Sequence, residues 1–174
     1  MGCKVAPINN KLYGFGAHAW ACRHYAEFAF FNLIFDSLIV QDNLDHLRKD
    51  PLTTVRHWSS NDHGWGWDSA GIPLEVWGGE QLDRMGVPLP SNHTGTMGPM
   101  LFAQREVIDR LDLELGYWFC RPDDKWRLCG MERVQGICLA HLGYDPSNSL
   151  QGSHGRHEDP YPENAVRKVN MARS

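Results

Sequence analysis

The stretch FCRPDDKWRLCGMERVQGICLAHL, residues 119–142, holds three of the five cysteines in a chain of 174 residues. Cys120, Cys129 and Cys138 are separated by eight residues at each step. Such even spacing is compatible with a zinc site, with a disulfide inside a helical hairpin, or with three buried thiols. The residues around the cysteines therefore provide the evidence for choosing between these alternatives.

A zinc site would use Cys120, Cys129, Cys138 and His141, which is the right number of ligands for a tetrahedral centre. Structural zinc sites usually take their ligands in close pairs, because one turn of chain then presents both. Only Cys138 and His141 are that close in this sequence. The spacing therefore favours an assignment without a bound metal, and we expect no cofactor.

Helical periodicity on both sides of the Arg121–Asp124 turn predicts two antiparallel helices. Pro122 breaks the pattern between them, and Gly143 and Pro146 end the second helix. The apolar positions that recur at helical spacing are Leu101, Ile108, Leu111, Leu115, Trp118, Trp126, Cys129, Val134 and Ile137.

The turn would bring the first two cysteines of the triplet together. Cys120 closes the first arm and Cys129 lies one turn into the second, so a disulfide can bridge them across Pro122. We therefore predict a Cys120–Cys129 disulfide. Three reduced, buried cysteines remain the simplest alternative.

The third cysteine has no partner in such a hairpin. Cys138 would face Leu111, at the position where a fourth cysteine would complete a second bridge. It is then either a free buried thiol or paired with one of the N-terminal cysteines, Cys3 or Cys22.

These patterns predict a mainly α fold, a disulfide-stapled antiparallel hairpin with an N-terminal apolar helix and long irregular extensions. Residues 1–50 form an N-terminal arm that includes the apolar helix, predicted over 16–48. Residues 51–98 form an irregular segment rich in Trp, Gly and Pro, 99–143 the hairpin, and 144–174 an extended polar tail.

The irregular segment carries four of the seven tryptophans, Trp58, Trp65, Trp67 and Trp77. A structureless stretch of this length is unusual inside a compact domain. Tryptophan buries a large area with few rotamers, so it is an efficient anchor on another protein. We therefore predict that these four side chains anchor the segment on a partner surface.

Composition excludes several classes of function. The net charge is −4, which disfavours a nucleic-acid partner. No Gly-rich phosphate loop and no Gly-x-Ser-x-Gly elbow is present, which disfavours nucleotide and hydrolase functions, and we expect no small-molecule substrate. The longest apolar run, residues 28–40, is too short to span a bilayer, although it can lie at a membrane surface.

The N-terminus begins Met-Gly-Cys-Lys and shows no secretory signal. Gly2 could carry a myristoyl group after removal of the initiator Met, and Cys3 could be palmitoylated.

Two short motifs carry a resemblance to a known family. AQREVID, residues 103–109, places Gln104 sixteen residues before Cys120, and CGMER, residues 129–133, begins at the second cysteine of the triplet. Together with the Met-Gly start, they resemble the eighteen-kilodalton beta-subcomplex subunit of mitochondrial respiratory complex I. That family has the cysteine-stapled coiled-coil-helix fold of the intermembrane space.

The resemblance implies a non-catalytic accessory subunit on the intermembrane-space face of the mitochondrial inner membrane, most simply in complex I. Its partners would be other subunits of the complex and the lipid surface. Another respiratory complex or ATP synthase is an alternative host. A different class of alternative is a small soluble metal-dependent enzyme built on His57, Asp62 and His63, or a zinc module built on the cysteines.

Overall fold

The computed structural model describes residues 15–25, 27–33, 38–40, 45–61, 63–97, 100–150 and 166–168. Its α-helices are α1 Phe15–His24, α2 Leu74–Arg84, α3 Arg105–Leu113 and α4 Lys125–His141. Its strands are β1 Phe30–Leu33, β2 Leu38–Val40, β3 Leu52–Thr54, β4 His57–Ser59, β5 Thr94–Thr96, β6 Leu101–Gln104 and β7 Val166–Lys168. Two short 3-10 helices cover Asp45–Lys49 and Tyr117–Phe119.

The strands form antiparallel sheets. The largest has the order β1-β6-β3, so β6 is the central strand. Ala103 of β6 stands opposite Phe31 on one side and Leu52 on the other. Two further ribbons pair β2 with β7 and β4 with β5. The β4–β5 ribbon lies next to α4, and it positions the site described below.

Strand β6 separates two apolar clusters. Leu101, Phe102 and Ala103 are all fully buried. Leu101 and Ala103 belong to the main core, whereas Phe102 packs with Leu47 and Val55 in a smaller cluster. This division follows from the alternation of side chains along a strand. Both faces of β6 are covered at its first three residues, and these three are apolar.

Helix α4 is the central element of the main core. Its N-terminus is capped by Asp124, whose carboxylate accepts the Arg127 N–H at 2.7 Å. Its C-terminus is a Schellman motif, in which Gly143 adopts a positive φ of 86° and Tyr144 N–H donates to the Leu139 carbonyl. The helix packs mainly against α2 and β5, and is buried over most of its length.

The predicted mainly α hairpin is wrong, and the fold is a mixed α/β one. Two helices do form near the predicted arms, as α3 and α4, but residues 101–104 are the central strand of a sheet. Helical spacing and a doubly buried strand both place apolar residues three apart here, so periodicity alone could not separate them. The main neighbours of α4 are α2 and β5, rather than α3.

The predicted Cys120–Cys129 disulfide is also wrong, because neither cysteine forms a disulfide in the structure. Cys120 is buried in the main core, and Cys129 lies half-buried on α4. Cys138 is free and buried, and its sulfur lies 3.9 Å from Met85 Sδ. Cys22 is likewise free and buried.

The predicted helix over 16–48 ends at His24, where α1 stops. Aromatic residues then enter β1, beginning at Phe30. Aromatic residues favour strands, and pairing with β6 makes this segment a strand despite its helical pattern. Within the described ranges, no helix is both long enough and apolar enough to cross a bilayer.

The segment 51–98 is not an irregular strap, because it contains β3, β4, α2 and β5. The start of the predicted tail is also bound to the fold. Thr54 N–H donates to Asn148 O at 2.8 Å, and Leu150 N–H donates to Thr54 O at 3.0 Å. Further along, β7 pairs with β2.

Candidate functional site

A pocket of about 220 Å³ opens between the β4–β5 ribbon and α4. Its lining combines aromatic, thioether and charged groups, a composition typical of a small-ligand site. The lining residues are Trp58, His63, Met97, Glu132 and Arg133. Trp58 comes from β4, and His63 from the loop that follows it. Met97 lies just after β5, and the two charged residues lie on α4.

Arg133 holds the charged side of the pocket together. Its Nη1 donates to Glu132 Oε2 at 2.9 Å and to the Cys129 carbonyl at 3.0 Å. Its Nη2 donates to the Gly64 carbonyl at 2.9 Å, which ties the loop after β4 to α4. Because the carboxylate and the guanidinium neutralise each other, the pocket has polar groups at its rim without a net charge from this pair.

Trp58 forms the aromatic floor. The Arg133 guanidinium lies over its ring at 5.0 Å, and the His63 ring meets it edge-on at 6.0 Å. On the other side the indole packs against Gly95, so closely that an added Cβ would collide with it. The glycine in β5 is therefore needed for the floor to lie where it does.

A chain of buried hydrogen bonds fixes the backbone of Glu132. The Tyr117 hydroxyl donates to Gln135 Oε1 at 3.1 Å, and Gln135 Nε2 donates to Thr96 Oγ1 at 2.9 Å. The Thr96 hydroxyl then donates to the Glu132 carbonyl at 3.3 Å. A satisfied buried network of this kind rigidifies its members, so it holds the Glu132 backbone in place.

Polar groups near the pocket are not all used by the fold. Arg133 Nε and both ring nitrogens of His93 are buried and have no hydrogen-bond partner within the described part of the chain. The His93 ring packs at 5.3 Å from Trp65. Burial, and then the nearby Arg133 charge, lower the pKa of His93, so its imidazole is neutral at pH 7. Unsatisfied buried groups are uncommon in native proteins and point to a ligand or to solvent.

The structure distributes the four predicted tryptophan anchors over different roles. Trp58 lies in the pocket, and Trp77 is buried in the main core against Gly130 of α4. Trp65 is half-buried, with its ring against Gly78 of α2. Trp67 alone of the four is largely exposed, with 63% of its surface accessible. Burial in the chain's own core leaves Trp58 and Trp77 unable to anchor a partner.

His57 and His63, the two described residues of the metalloenzyme alternative, have different neighbours. His63 lines the pocket, but His57 Nδ1 hydrogen-bonds Ser149 Oγ at 2.8 Å, and Asp62 lies outside the described residues. Burial lowers the pKa of His57, while the nearby Asp145 opposes that shift. In the described ranges, no three His, Cys, Asp or Glu side chains come together as a potential metal site, and the predicted zinc set is included in that finding.

The acylation sites Gly2 and Cys3 lie outside the described residues. Met97, Glu132 and Arg133 were missed by the sequence analysis. Glu132 and Arg133 belong to the CGMER motif, which indicated only a resemblance there. No local signal marks them as pocket residues, because their role depends on β5 and β4 reaching α4.

Comparison with protein-family models, with characterised proteins and with solved structures finds no match for this chain.

Proposed function

We propose that the chain binds a saccharide in the Trp58 pocket, and that Glu132 accepts a proton from a hydroxyl of the bound sugar. The observation that supports this proposal is a carboxylate held by Arg133 in a pocket that is also lined by Trp58, His63 and Met97. A sugar has an apolar C–H face and a rim of hydroxyls, so it complements both parts of the lining.

Charge favours a neutral ligand over an ionic one. Glu132 and Arg133 are paired at 2.9 Å, and their side chains are 21% and 11% exposed. A bound anion or cation would have to compete with this pair. Hydroxyl groups, in contrast, can donate to the carboxylate and accept from the guanidinium together. The volume of about 220 Å³ lies below the usual range for drug-sized ligands, so it suits one sugar ring.

The number of carboxylates bears on the reaction. Glu132 is the one carboxylate in the lining that the described residues provide. Hydrolysis of a glycosidic bond usually needs two carboxylates, one of them as the acid for the leaving group. A single base suits transfer onto a sugar hydroxyl from an activated donor, whose leaving group departs without protonation.

In that reaction the hydroxyl oxygen forms a bond to the electrophilic centre of the donor. Its proton passes to the Glu132 carboxylate. The leaving group departs with the electron pair of the bond that breaks. Tyr117, Gln135 and Thr96 act as positioning residues, because they hold the backbone that carries the base.

Ligand-observed NMR with a panel of methyl hexosides tests the binding step. We expect at least one sugar to bind the native chain, and Met97→Trp to abolish that binding by filling the pocket. Leu113→Trp is the matched control, since Leu113 is 83% exposed on α3, away from the lining. Absence of binding to every sugar, or equal binding by Met97→Trp, would contradict the proposal.

Glu132→Gln tests the chemical role. This variant should keep sugar binding, and it should lose about 10²–10⁴-fold in turnover with an activated donor, as expected for removal of a general base. Glu106→Gln, on the exposed face of α3, should leave both unchanged. Full turnover by Glu132→Gln would exclude the base while leaving the saccharide site in place.

A second candidate is the predicted one, a non-catalytic subunit that docks on other proteins of a mitochondrial inner-membrane complex. Exposed apolar side chains favour docking, since Leu113 is 83% and Phe119 67% exposed. Its test is the state of the chain expressed alone. Aggregation of the native chain that the double variant Leu113→Lys with Phe119→Lys relieves would support docking. A native chain that is a soluble monomer would count against docking.

A further inference from the structure

Trp67 lies in the loop that leaves the pocket, and 63% of its surface is exposed. A single exposed apolar side chain is common on protein surfaces and has no meaning by itself. The surroundings of Trp67 make its exposure informative, because hydrogen bonds hold its loop in place. This loop also begins at His63, which lines the pocket.

The loop holds the Trp67 backbone in a defined position. Trp67 forms an isolated β-bridge with Pro73, and Asp68 N–H donates to Ile72 O at 2.8 Å. The Asp68 carboxylate accepts two backbone N–H groups of the same loop and is paired with Arg127 of α4 at 3.2 Å. The hydrogen bond from the Ile72 N–H is the main cause of a lowered pKa for Asp68; burial opposes this shift, and the Ala70 N–H and Arg127 add to it. An aromatic platform on such a turn loses little entropy when a ligand stacks on it.

The platform is also close to the pocket. His63 lines the pocket and precedes Trp67 by four residues, which span at most about 14 Å of extended chain. Gly64, the residue after His63, is fixed to the pocket rim by the bond from Arg133 Nη2. The exposed Trp67 indole is therefore within reach of a ligand that extends out of the pocket along this loop.

We infer that Trp67 forms a second saccharide subsite, and that the ligand of the pocket is an oligosaccharide rather than a single sugar. This inference rests on the proposed saccharide function. The first sugar unit occupies the Trp58 pocket, and the apolar face of a following unit stacks on the exposed indole of Trp67.

Isothermal titration with chains of one to four units of the sugar that binds the pocket tests this arrangement. For the native protein, we expect the affinity to rise by about tenfold between one unit and the longer chains, from the apolar area buried on the indole. Trp67→Ala should bind the single unit as the native protein does, and should lose that gain. Trp67→Phe should recover part of it, because a smaller ring still stacks.

Trp126→Ala is the matched control, since Trp126 is another exposed tryptophan, 49% accessible, on the first turn of α4. It should keep the native gain with length. Circular dichroism should show that each variant is folded, because each changes an exposed side chain. A gain in affinity with chain length that survives in Trp67→Ala, or no such gain in the native protein, would overturn the subsite but not the saccharide pocket.

If no saccharide binds at all, the proposed function and this inference both fail. Loss of a protein contact in Trp67→Ala, with every sugar affinity unchanged, would instead assign Trp67 to protein docking.

Discussion

Gly136 lies where α4 comes closest to β5. A Cβ added at this position would collide with the Thr94 carbonyl oxygen, which belongs to the backbone and cannot rotate away. The contact also sets the distance between β5, which supports the pocket floor, and α4, which carries Glu132. One residue without a side chain therefore positions two walls of the pocket.

We expect Gly136→Ala to lower the free energy of unfolding by about 1–3 kcal/mol, or more, because overpacking against backbone has to displace a whole element. Urea unfolding measures this change. Gly79→Ala on α2 is the control. Its Cβ would meet only the Leu89 side chain at 3.7 Å, so that variant should gain about 0.5–1 kcal/mol from helix propensity. Equal stability changes in the two variants would contradict the packing argument.

Gln135 is a fully buried amide that joins the Tyr117 hydroxyl to the Thr96 hydroxyl. Replacement by Leu keeps the approximate volume and removes both hydrogen bonds. We expect Gln135→Leu to cost about 1–3 kcal/mol of unfolding free energy, because buried polar groups lose a partner. Tyr117→Phe should cost less.

The double variant should cost less than the sum of the two single changes, since their effects share one hydrogen bond. Chemical denaturation of the four proteins in this cycle gives the coupling energy. Additive costs would show that Tyr117 and Gln135 act independently, and would remove the support proposed for Glu132.

At the scale of elements, α4 depends on its first turn. Asp124 caps the helix by accepting the Arg127 N–H at 2.7 Å, and it also accepts a hydrogen bond from the Ser69 hydroxyl at 3.1 Å. The cap therefore fixes the helix start and also the loop that presents Trp67. Asp123, its neighbour, makes an exposed ion pair with Arg127.

The stability lost with the Asp124 cap can be compared with the stability lost at Asp123. We expect Asp124→Ala to cost about 0.5–2 kcal/mol of unfolding free energy. Asp123→Ala should stay within about 1 kcal/mol of the native protein, since exposed ion pairs contribute little. Thermal or urea unfolding separates the two, and a larger loss at Asp123 would contradict the capping role.

The elements show where sequence periodicity succeeds and where it does not. The prediction of a helix beyond the Pro122 turn is confirmed by α4, because its start and stop signals are local. Residues 101–104 look helical, yet they form β6, because pairing with β1 and β3 decides their conformation. Trp65 and Trp77 looked like anchors for a partner, but α2 and α4 of the same chain provide glycines for them to pack against.

For the whole molecule, the buried thiols couple stability to pH. Burial raises the pKa of Cys22 and of Cys120 from 9.0 to about 12. Burial also raises the pKa of Cys138. The unfolded chain therefore releases these protons at lower pH than the folded chain does. The thiol contribution is fully present below pH 9 and is lost as pH rises from about 9 to about 12.

We expect the free energy of unfolding to fall as pH rises above about 9. Urea unfolding at a series of pH values measures the slope. Cys120→Ala should lower stability at neutral pH through the cavity it leaves, and should also flatten the alkaline slope. The control Ile108→Val should lower stability by about 0.5–1.5 kcal/mol without changing the slope. An unchanged slope in Cys120→Ala would show that this thiol does not titrate on unfolding.

Signals between neighbouring residues are enough to predict some local features of this fold. They set the boundaries of α4 through Asp124 and Gly143, and the sequence also supplies the apolar residues that fill the core. Only long-range contacts explain why β6 is a strand and why Glu132 and Arg133 of α4 meet Trp58 of β4 in one pocket. Cys120 and Cys129 form no disulfide in that fold. Strand pairing and packing join residues that are distant in the chain. No local sequence pattern therefore predicts which face of α4 the β4–β5 ribbon will cover.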